Sequence, residues 1–96
     1  MSESLKPLFS FDGDQLTIRG EVTIGQLSEL ISSVFSHRAP ISKVLFEHVT
    51  VMDSAAIVLL LACRRTISGQ LIVAGASQKL RTLIRLYDLD SLFLLV

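Results

Sequence analysis

The most constraining feature of this 96-residue sequence is a run of nine consecutive apolar residues, 55–63, which follows Asp53 and Ser54 and ends at two arginines. A helix needs roughly 20 apolar residues to cross a bilayer, so the run does not predict a membrane span. Positions 56, 60, 63 and 67 fall on one helical stripe. The run therefore predicts a helix that begins at or near Ser54, ends before Gly69 and buries this stripe against a sheet.

The rest of the chain alternates between strand-like and helical patterns. Segments 8–11 and 15–19 flank the turn signal Asp12-Gly13-Asp14 and predict an opening hairpin. The order β-β-α-β-α-β-α-β predicts an α/β fold, a mostly parallel small sheet with an N-terminal β-hairpin and about three helices packed on it. The later predicted elements are a helix over 23–37 with a Thr23/Gln26 capping box, buried strands over 42–47 and 71–74, and a short strand or docked tail over 92–96. A third helix is capped by Ser77 and places Leu80, Leu83, Ile84 and Tyr87 on its core stripe.

Charge and composition narrow the classes of function. Nine basic residues balance nine acidic ones and neither sign forms a long run, so the sequence shows no footprint for nucleic acid or for an anionic membrane surface. The length suits a single domain, which we assign to residues 1–96. The start lacks the pattern of a secretory signal and one cysteine cannot form an internal disulfide, which favours the cytoplasm. Half of the residues are hydrophobic, so we expect some apolar surface to bind another protein.

The polar pair before the second helix has two interpretations, and the residues alone leave both open. In the first, Ser54 is an N-cap whose hydroxyl accepts a hydrogen bond from a free backbone N–H, worth about 1 kcal/mol, and Asp53 benefits from the positive end of the helix. In the second, Ser54 is a phosphorylation site. The added charge of nearly −2 beside Asp53 would then abolish docking of a partner.

The outward side of this helix is predicted to be apolar in its first two turns and basic in its last. Either a neighbouring helix covers these side chains or another protein docks on them. The predicted outward positions are Val58, Leu61, Ala62 and Arg65.

No set of residues predicts catalysis or metal binding. The sequence has no glycine-rich phosphate loop followed by lysine, and His37 and His48 stand eleven positions apart without a cysteine or acidic cluster. We expect His37 near a helix C-terminus, His48 in an exposed turn and Cys63 in the core as a small hydrophobe. The prediction is a protein with no enzymatic activity, no catalytic residues, no metal and no cofactor.

Residues 51–61, Val-Met-Asp-Ser-Ala-Ala-Ile-Val-Leu-Leu-Leu, resemble the signature of STAS domains, in which an apolar strand leads into Asp-Ser or Asp-Thr, two small residues and a leucine-rich helix. The resemblance extends to the hairpin end at 19–22, the strand at 43–47 and the strand at 71–74 with its following helix. It implies a STAS-type fold over nearly the whole chain. It also implies that Asp53 and Ser54 mark the partner-facing loop and helix start, and we assign the adjoining Ala55 to the same surface.

Two functional classes of this family matter. In anti-sigma factor antagonists, a serine at the position of Ser54 is the target of a partner kinase that is also an anti-sigma factor. The small cytoplasmic STAS subunits of the MlaB class instead bind the ATPase of the Mla phospholipid-transport ABC complex. The chain is closer to the second class in its MSESL start, its length and residues 80–89, whose Leu-Tyr-Asp-Leu resembles a Leu-Tyr-Asn-Leu helix ending. It departs from both classes at Ala55-Ala56, and from the second at Ser54, where that class has threonine.

The resemblance to the second class implies a non-enzymatic accessory subunit that binds and stabilises the ATPase subunit of an ABC transporter and so maintains outer-membrane lipid asymmetry. Such a subunit is cytoplasmic and reaches the inner membrane only through its partner complex, without direct membrane insertion. The alternative is an anti-sigma factor antagonist that an anti-sigma factor serine kinase regulates by phosphorylation at Ser54. A third class is a structural or sensory module that binds a small ligand.

Overall fold

A computed structural model describes residues 9–96 and has the predicted order of strands and helices. Residue 8 of the predicted hairpin and the N-terminal start lie outside the described residues. The predicted strand over 42–47 is longer than expected and continues to Met52. The elements are β1 Phe9–Asp12, β2 Gln15–Val22, α1 Ile24–His37, β3 Lys43–Met52, α2 Ala55–Arg64, β4 Leu71–Ala74, α3 Gln78–Leu86 and β5 Phe93–Leu95, with a 3₁₀ turn Asp90–Leu92 before β5.

One five-stranded sheet forms the centre of the molecule, with the strands in chain order β1-β2-β3-β4-β5. β1 pairs antiparallel with β2, and the remaining pairs are parallel. Because the parallel strands follow one another across the sheet, right-handed crossovers place all three helices on the same face. Accordingly, α2 lies in the middle of the helical layer and contacts both α1 and α3.

The core lies between this face of the sheet and the helices. Alternate strand residues point into it, as the two-residue period of a strand requires. The α2 stripe predicted from sequence is confirmed at Ala56, Leu60 and Cys63, which are fully buried. The fourth predicted position, Ile67, lies beyond the end of α2 at Arg64 and is half-buried. The buried residues on the strands include Leu16, Ile18, Val44, Phe46, Leu71, Val73 and Phe93.

The opposite side of the sheet, which we call the open face, carries no helix among the described residues. The strands predicted to be buried are therefore covered on one side only. Leu45, Ile72 and Ala74 are half-buried, Leu94 is 46% exposed, and none of the four packs against the core. A short apolar run has the same composition whether one or both of its faces are covered, which is why the sequence did not distinguish the two cases.

The helix caps largely follow the sequence signals. The Thr23 N–H donates to Gln26 Oε1 at 3.2 Å, and Ser77 Oγ accepts from the Leu80 N–H at 3.2 Å. Gly75, between β4 and α3, has a φ of 75°, and a Cβ there would lie 2.7 Å from Glu47 Cβ. Only glycine fits here, because any other residue would place its Cβ against Glu47 and would be strained at this positive φ. The chain can therefore pass close to β3 just before α3 begins.

Two single-residue predictions were wrong and two were confirmed. Tyr87 was expected in the core but is 50% exposed, because α3 ends at Leu86 and its inner stripe stops at Ile84. His48 is exposed as expected but lies in β3 rather than in a turn. His37 is the last residue of α1, and Cys63 is buried, both as predicted. Within residues 9–96, every helix is too short or too polar to span a bilayer.

Candidate functional site

Asp53 holds the starts of two helices at the end of β3. Its backbone N–H donates to Val22 O at 3.2 Å, which continues the pairing of β2 with β3. Its carboxylate accepts two further bonds, one from the Ala55 N–H to Oδ1 at 2.8 Å and one from the Ile24 N–H to Oδ2 at 3.3 Å. A single carboxylate therefore caps α1 and α2 together, where both helix dipoles favour a negative charge.

Ser54 is not the cap that the first interpretation expected. Its backbone already has helical angles, φ −63° and ψ −11°, and its side chain makes no capping bond. The neighbouring Asp53 carboxylate accepts the first free N–H, and a residue in helical conformation cannot turn its side chain back to the next ones. Ser54 is exposed, and its hydroxyl has no hydrogen-bond partner in the part of the chain that the structure describes. The hydroxyl is thus free to meet a partner or to be modified.

Four residues with helical spacing form the outward side of α2, which we call the outer stripe: Ser54, Val58, Leu61 and Arg65. Val58 is 48% exposed, Arg65 is exposed, and Leu61 is half-buried against the edge of the core. The stripe therefore begins with a free hydroxyl, continues with two apolar side chains and ends with a guanidinium. This order matches the predicted change from apolar to basic along the helix.

Two predicted partner-binding residues do not reach the surface. Ala62 is 8% exposed and Ala55 is 3% exposed, so both side chains lie within the chain's own interior. Ala62 was predicted from the helical wheel, which gives the direction of a side chain but not its neighbours, and Ala55 was predicted because it adjoins Ser54. In the structure α2 contacts a helix on each side, α1 and α3. The predicted site residues that remain accessible are Asp53, Ser54, Val58, Leu61 and Arg65.

The helical layer exposes further apolar side chains that the sequence reasoning missed. Ile24, whose N–H contacts Asp53, is 74% exposed, and Phe35 at the other end of α1 is 63% exposed. Between them Leu27 and Ile31 line a shallow groove of about 540 Å³. The signal was present in the sequence, because the apolar positions of α1 span a wider arc than one buried stripe needs.

A second hollow, of about 460 Å³, lies between the C-terminal half of β3 and the start of α3. Lys79 lies along it, and its Nζ donates to Met52 O at 2.9 Å. This bond ties α3 to the end of the strand that carries Asp53. Lys79 therefore helps to fix the position of the site from the other side of the helical layer.

The described residues show no activated nucleophile. His37 donates from Nε2–H to Gly13 O at 3.2 Å, and its ring stacks on Phe11 with centroids 3.9 Å apart. His48 Nε2 lies 3.7 Å from Glu47 Oε1, and among the described residues neither histidine forms a hydrogen bond with the Ser54 side chain. Burial raises the pKa of the Cys63 thiol to about 12, so Cys63 is protonated at neutral pH. Among residues 9–96 no three His, Cys, Asp or Glu side chains come together in a way that could hold a metal ion.

The fold is shared with a protein of known structure. The anti-sigma factor antagonist SpoIIAA, in its unphosphorylated form, superimposes with a TM-score of 0.68 at 15% sequence identity, and the match covers 92% of this chain and 85% of that chain. No family model and no curated protein sequence matches this chain. At this identity the likeness shows the fold alone. The STAS-type fold predicted from sequence is therefore confirmed.

Proposed function

We propose that this chain is a docking module without catalytic activity, which binds a partner protein through the outer stripe of α2 and the adjoining start of α1. The observation that carries the proposal is the exposure of Val58 and Ile24 around the free hydroxyl of Ser54. Exposed apolar side chains grouped on one face of a small domain are typical of protein interfaces.

We propose that the partner is the ATPase subunit of a phospholipid-transport ABC complex of the Mla type. The support is the resemblance of residues 80–89 to the corresponding helix ending of MlaB-class subunits. Within this segment Leu86 is 71% exposed and Tyr87 is 50% exposed, on the same helical layer as the outer stripe. Residues that carry the resemblance are thus available to a partner. In this role the chain is cytoplasmic and is held at the inner membrane through the transporter.

The charge of the helical layer indicates what the partner's surface should look like. The three helices contain four basic residues, Arg64, Lys79, Arg81 and Arg85, and one acidic residue, Glu29. We expect the partner to present an apolar patch with acidic residues at its rim, because complementary charges steer association and exclude wrong partners.

The proposed effect on the ATPase is thermodynamic linkage. A subunit that binds the assembled, competent form of the ATPase better than other forms raises the population of that form. The surface of α2 needs no moving part for this role. It requires only that the outer stripe fits one state of the partner and not the others.

The test is co-purification of the tagged full chain with the ATPase subunit, as wild type and as Val58→Asp. Val58 is a sharper probe than Leu61, because Leu61 also packs against the core. The matched control is Leu94→Asp, since Leu94 is 46% exposed, close to the 48% of Val58, but lies on the open face of the sheet. We expect Val58→Asp alone to lose the ATPase. Retention of the ATPase by Val58→Asp would overturn the docking site.

The second candidate is an anti-sigma factor antagonist controlled by an anti-sigma factor serine kinase that phosphorylates Ser54. It is supported by the exposed hydroxyl, which no described residue engages, and by the fold shared with SpoIIAA. Mass spectrometry of the chain from growing cells separates the two candidates. Phosphate on Ser54 and capture of a kinase would favour the second, whereas an unmodified Ser54 and a Ser54→Ala variant that still binds the ATPase would favour the first.

A further inference from the structure

The edge of the sheet at β5 has unpaired backbone groups. The Val96 N–H donates to Val73 O at 3.0 Å and Val96 O accepts from the Gly75 N–H at 3.3 Å, so both polar groups of Val96 point towards β4. Successive residues of a strand direct these groups to opposite sides. Those of Phe93 and Leu95 therefore point away from the sheet, where no strand follows among residues 9–96.

The chemistry of this edge favours another β-strand as its occupant. Residues 91–96, Ser-Leu-Phe-Leu-Leu-Val, contain neither a charge nor a proline, which are the usual devices that keep sheet edges from pairing. Leu94 is 46% exposed beside Ile72, its cross-strand neighbour on the open face. A docked strand would satisfy the free backbone groups and cover Leu94.

We propose that the occupant is β5 of a second copy of this chain, paired antiparallel about a twofold axis that passes beside Leu94. Phe93 of each copy then forms a hydrogen-bonded pair with Leu95 of the other, and the two Leu94 side chains lie opposite each other. The five-stranded sheets join into one continuous sheet. A twofold arrangement closes on itself, so it forms a dimer and not a fibre.

Self-pairing suits this strand because residues 91–96 carry no charged side chain, so no like-charged side chains of β5 face each other across the axis. The strand is short and supplies only about four inter-chain hydrogen bonds, two for each Phe93–Leu95 pair. The dimer is therefore concentration-dependent, and it leaves the outer stripe of α2 on the separate helical layer.

The test is the mass of the full chain in solution, measured by sedimentation equilibrium over a wide concentration range. We expect wild type to rise from one chain mass to two. Leu95→Pro removes an N–H that points away from the sheet, so the fold keeps its own ladder while the dimer loses two bonds. Leu94→Lys places two positively charged side chains directly opposite each other across the axis, on Cα atoms about 4.5 Å apart, which is destabilising. Both variants should stay at one chain mass, and the matched control Val58→Lys should dimerise like wild type.

A cross-link tests the register. Opposed non-hydrogen-bonded residues lie about 4.5 Å apart between Cα atoms, within the range that a disulfide spans. Leu94→Cys should form a covalent dimer on mild oxidation, whereas Val58→Cys should not, and the native Cys63 is buried. The proposal would be overturned if wild type stays at one chain mass at every concentration. It would also be overturned if Leu94→Lys associates like wild type and Leu94→Cys forms no cross-link.

Discussion

The two sides of α2 contain similar apolar residues in opposite environments. On the inner side Leu60 and Cys63 are fully buried beneath the sheet, whereas on the outer side Val58 is 48% exposed and has no cover from the described residues. The inner side chains stabilise the fold by leaving water. The outer ones contribute little to that stability and keep a hydrophobic surface in water. One uninterrupted apolar run thus divides between stability and recognition, and only the packing shows where the division falls.

The largest expected effect is on the inner side. Leu60→Ala should lower the free energy of unfolding by about 3 kcal/mol, because it leaves a cavity in a fully buried site. Urea denaturation followed by circular dichroism measures the change. The folded fraction should still bind the partner with wild-type affinity. A loss below about 1 kcal/mol would mean that α2 is packed less tightly than its burial indicates.

The buried thiol predicts a pH dependence that the outer side cannot produce. Burial raises the pKa of Cys63 to about 12 from its ordinary value of 9.0, so folding favours the protonated thiol. The resulting stability is complete below about pH 9 and is lost as pH rises towards 12, by at most about 1.4 kcal/mol per pH unit. As pH rises from about 9 to about 12, the free energy of unfolding should fall less steeply for Cys63→Ala than for wild type. Parallel curves would contradict the burial of Cys63.

The two polar residues before α2, Asp53 and Ser54, should also differ in how much they contribute to the free energy of unfolding. Asp53→Ala removes two capping bonds and should lower the free energy of unfolding by about 1–2 kcal/mol. Ser54→Ala removes a hydroxyl that no described residue engages, and should change it by less than about 0.5 kcal/mol. Thermal unfolding of both variants in the same buffer gives the ranking. A Ser54→Ala loss equal to that of Asp53→Ala would restore Ser54 as the cap.

Truncating the apolar part of the outer stripe at Val58 should affect stability as little as Ser54→Ala does. Val58→Ala should change the free energy of unfolding by about 0.5 kcal/mol or less, since the side chain is half exposed. It should nevertheless weaken partner binding several-fold in isothermal calorimetry, because an interface buries what the free chain exposes. If Val58→Ala lowers the free energy of unfolding but leaves partner binding unchanged, Val58 stabilises the fold and is not part of the docking surface.

Local signals were sufficient to predict the order of elements. Hydrophobic periodicity, the capping pairs and Gly69 located α1, α2, α3 and the strands within a few residues. These signals act over one or two helical turns. They determine the secondary structure wherever no contact with residues distant in sequence favours another conformation. The STAS signature then identified the fold, which the comparison with SpoIIAA confirmed at 15% identity.

The errors arose where the outcome depends on neighbours distant in sequence. The shared cap was missed because the Asp53 carboxylate, besides accepting from the Ala55 N–H, accepts from the Ile24 N–H at the start of α1, a contact across 29 positions. Ala62 is buried because a neighbouring helix covers its direction on the wheel. The open face was missed because composition cannot show that all three helices crowd onto one side of the sheet.

The central claim is that the outer stripe of α2 is covered when the partner binds, and thiol labelling of Val58→Cys tests it most directly. The native Cys63 is buried and protonated, so the new cysteine is the reactive one. We expect Val58→Cys to react rapidly in the free chain and at least tenfold more slowly in the purified complex with the ATPase subunit, while Leu94→Cys reacts equally fast in both at low concentration. Equal labelling of Val58→Cys in the free chain and in the complex would contradict the claim.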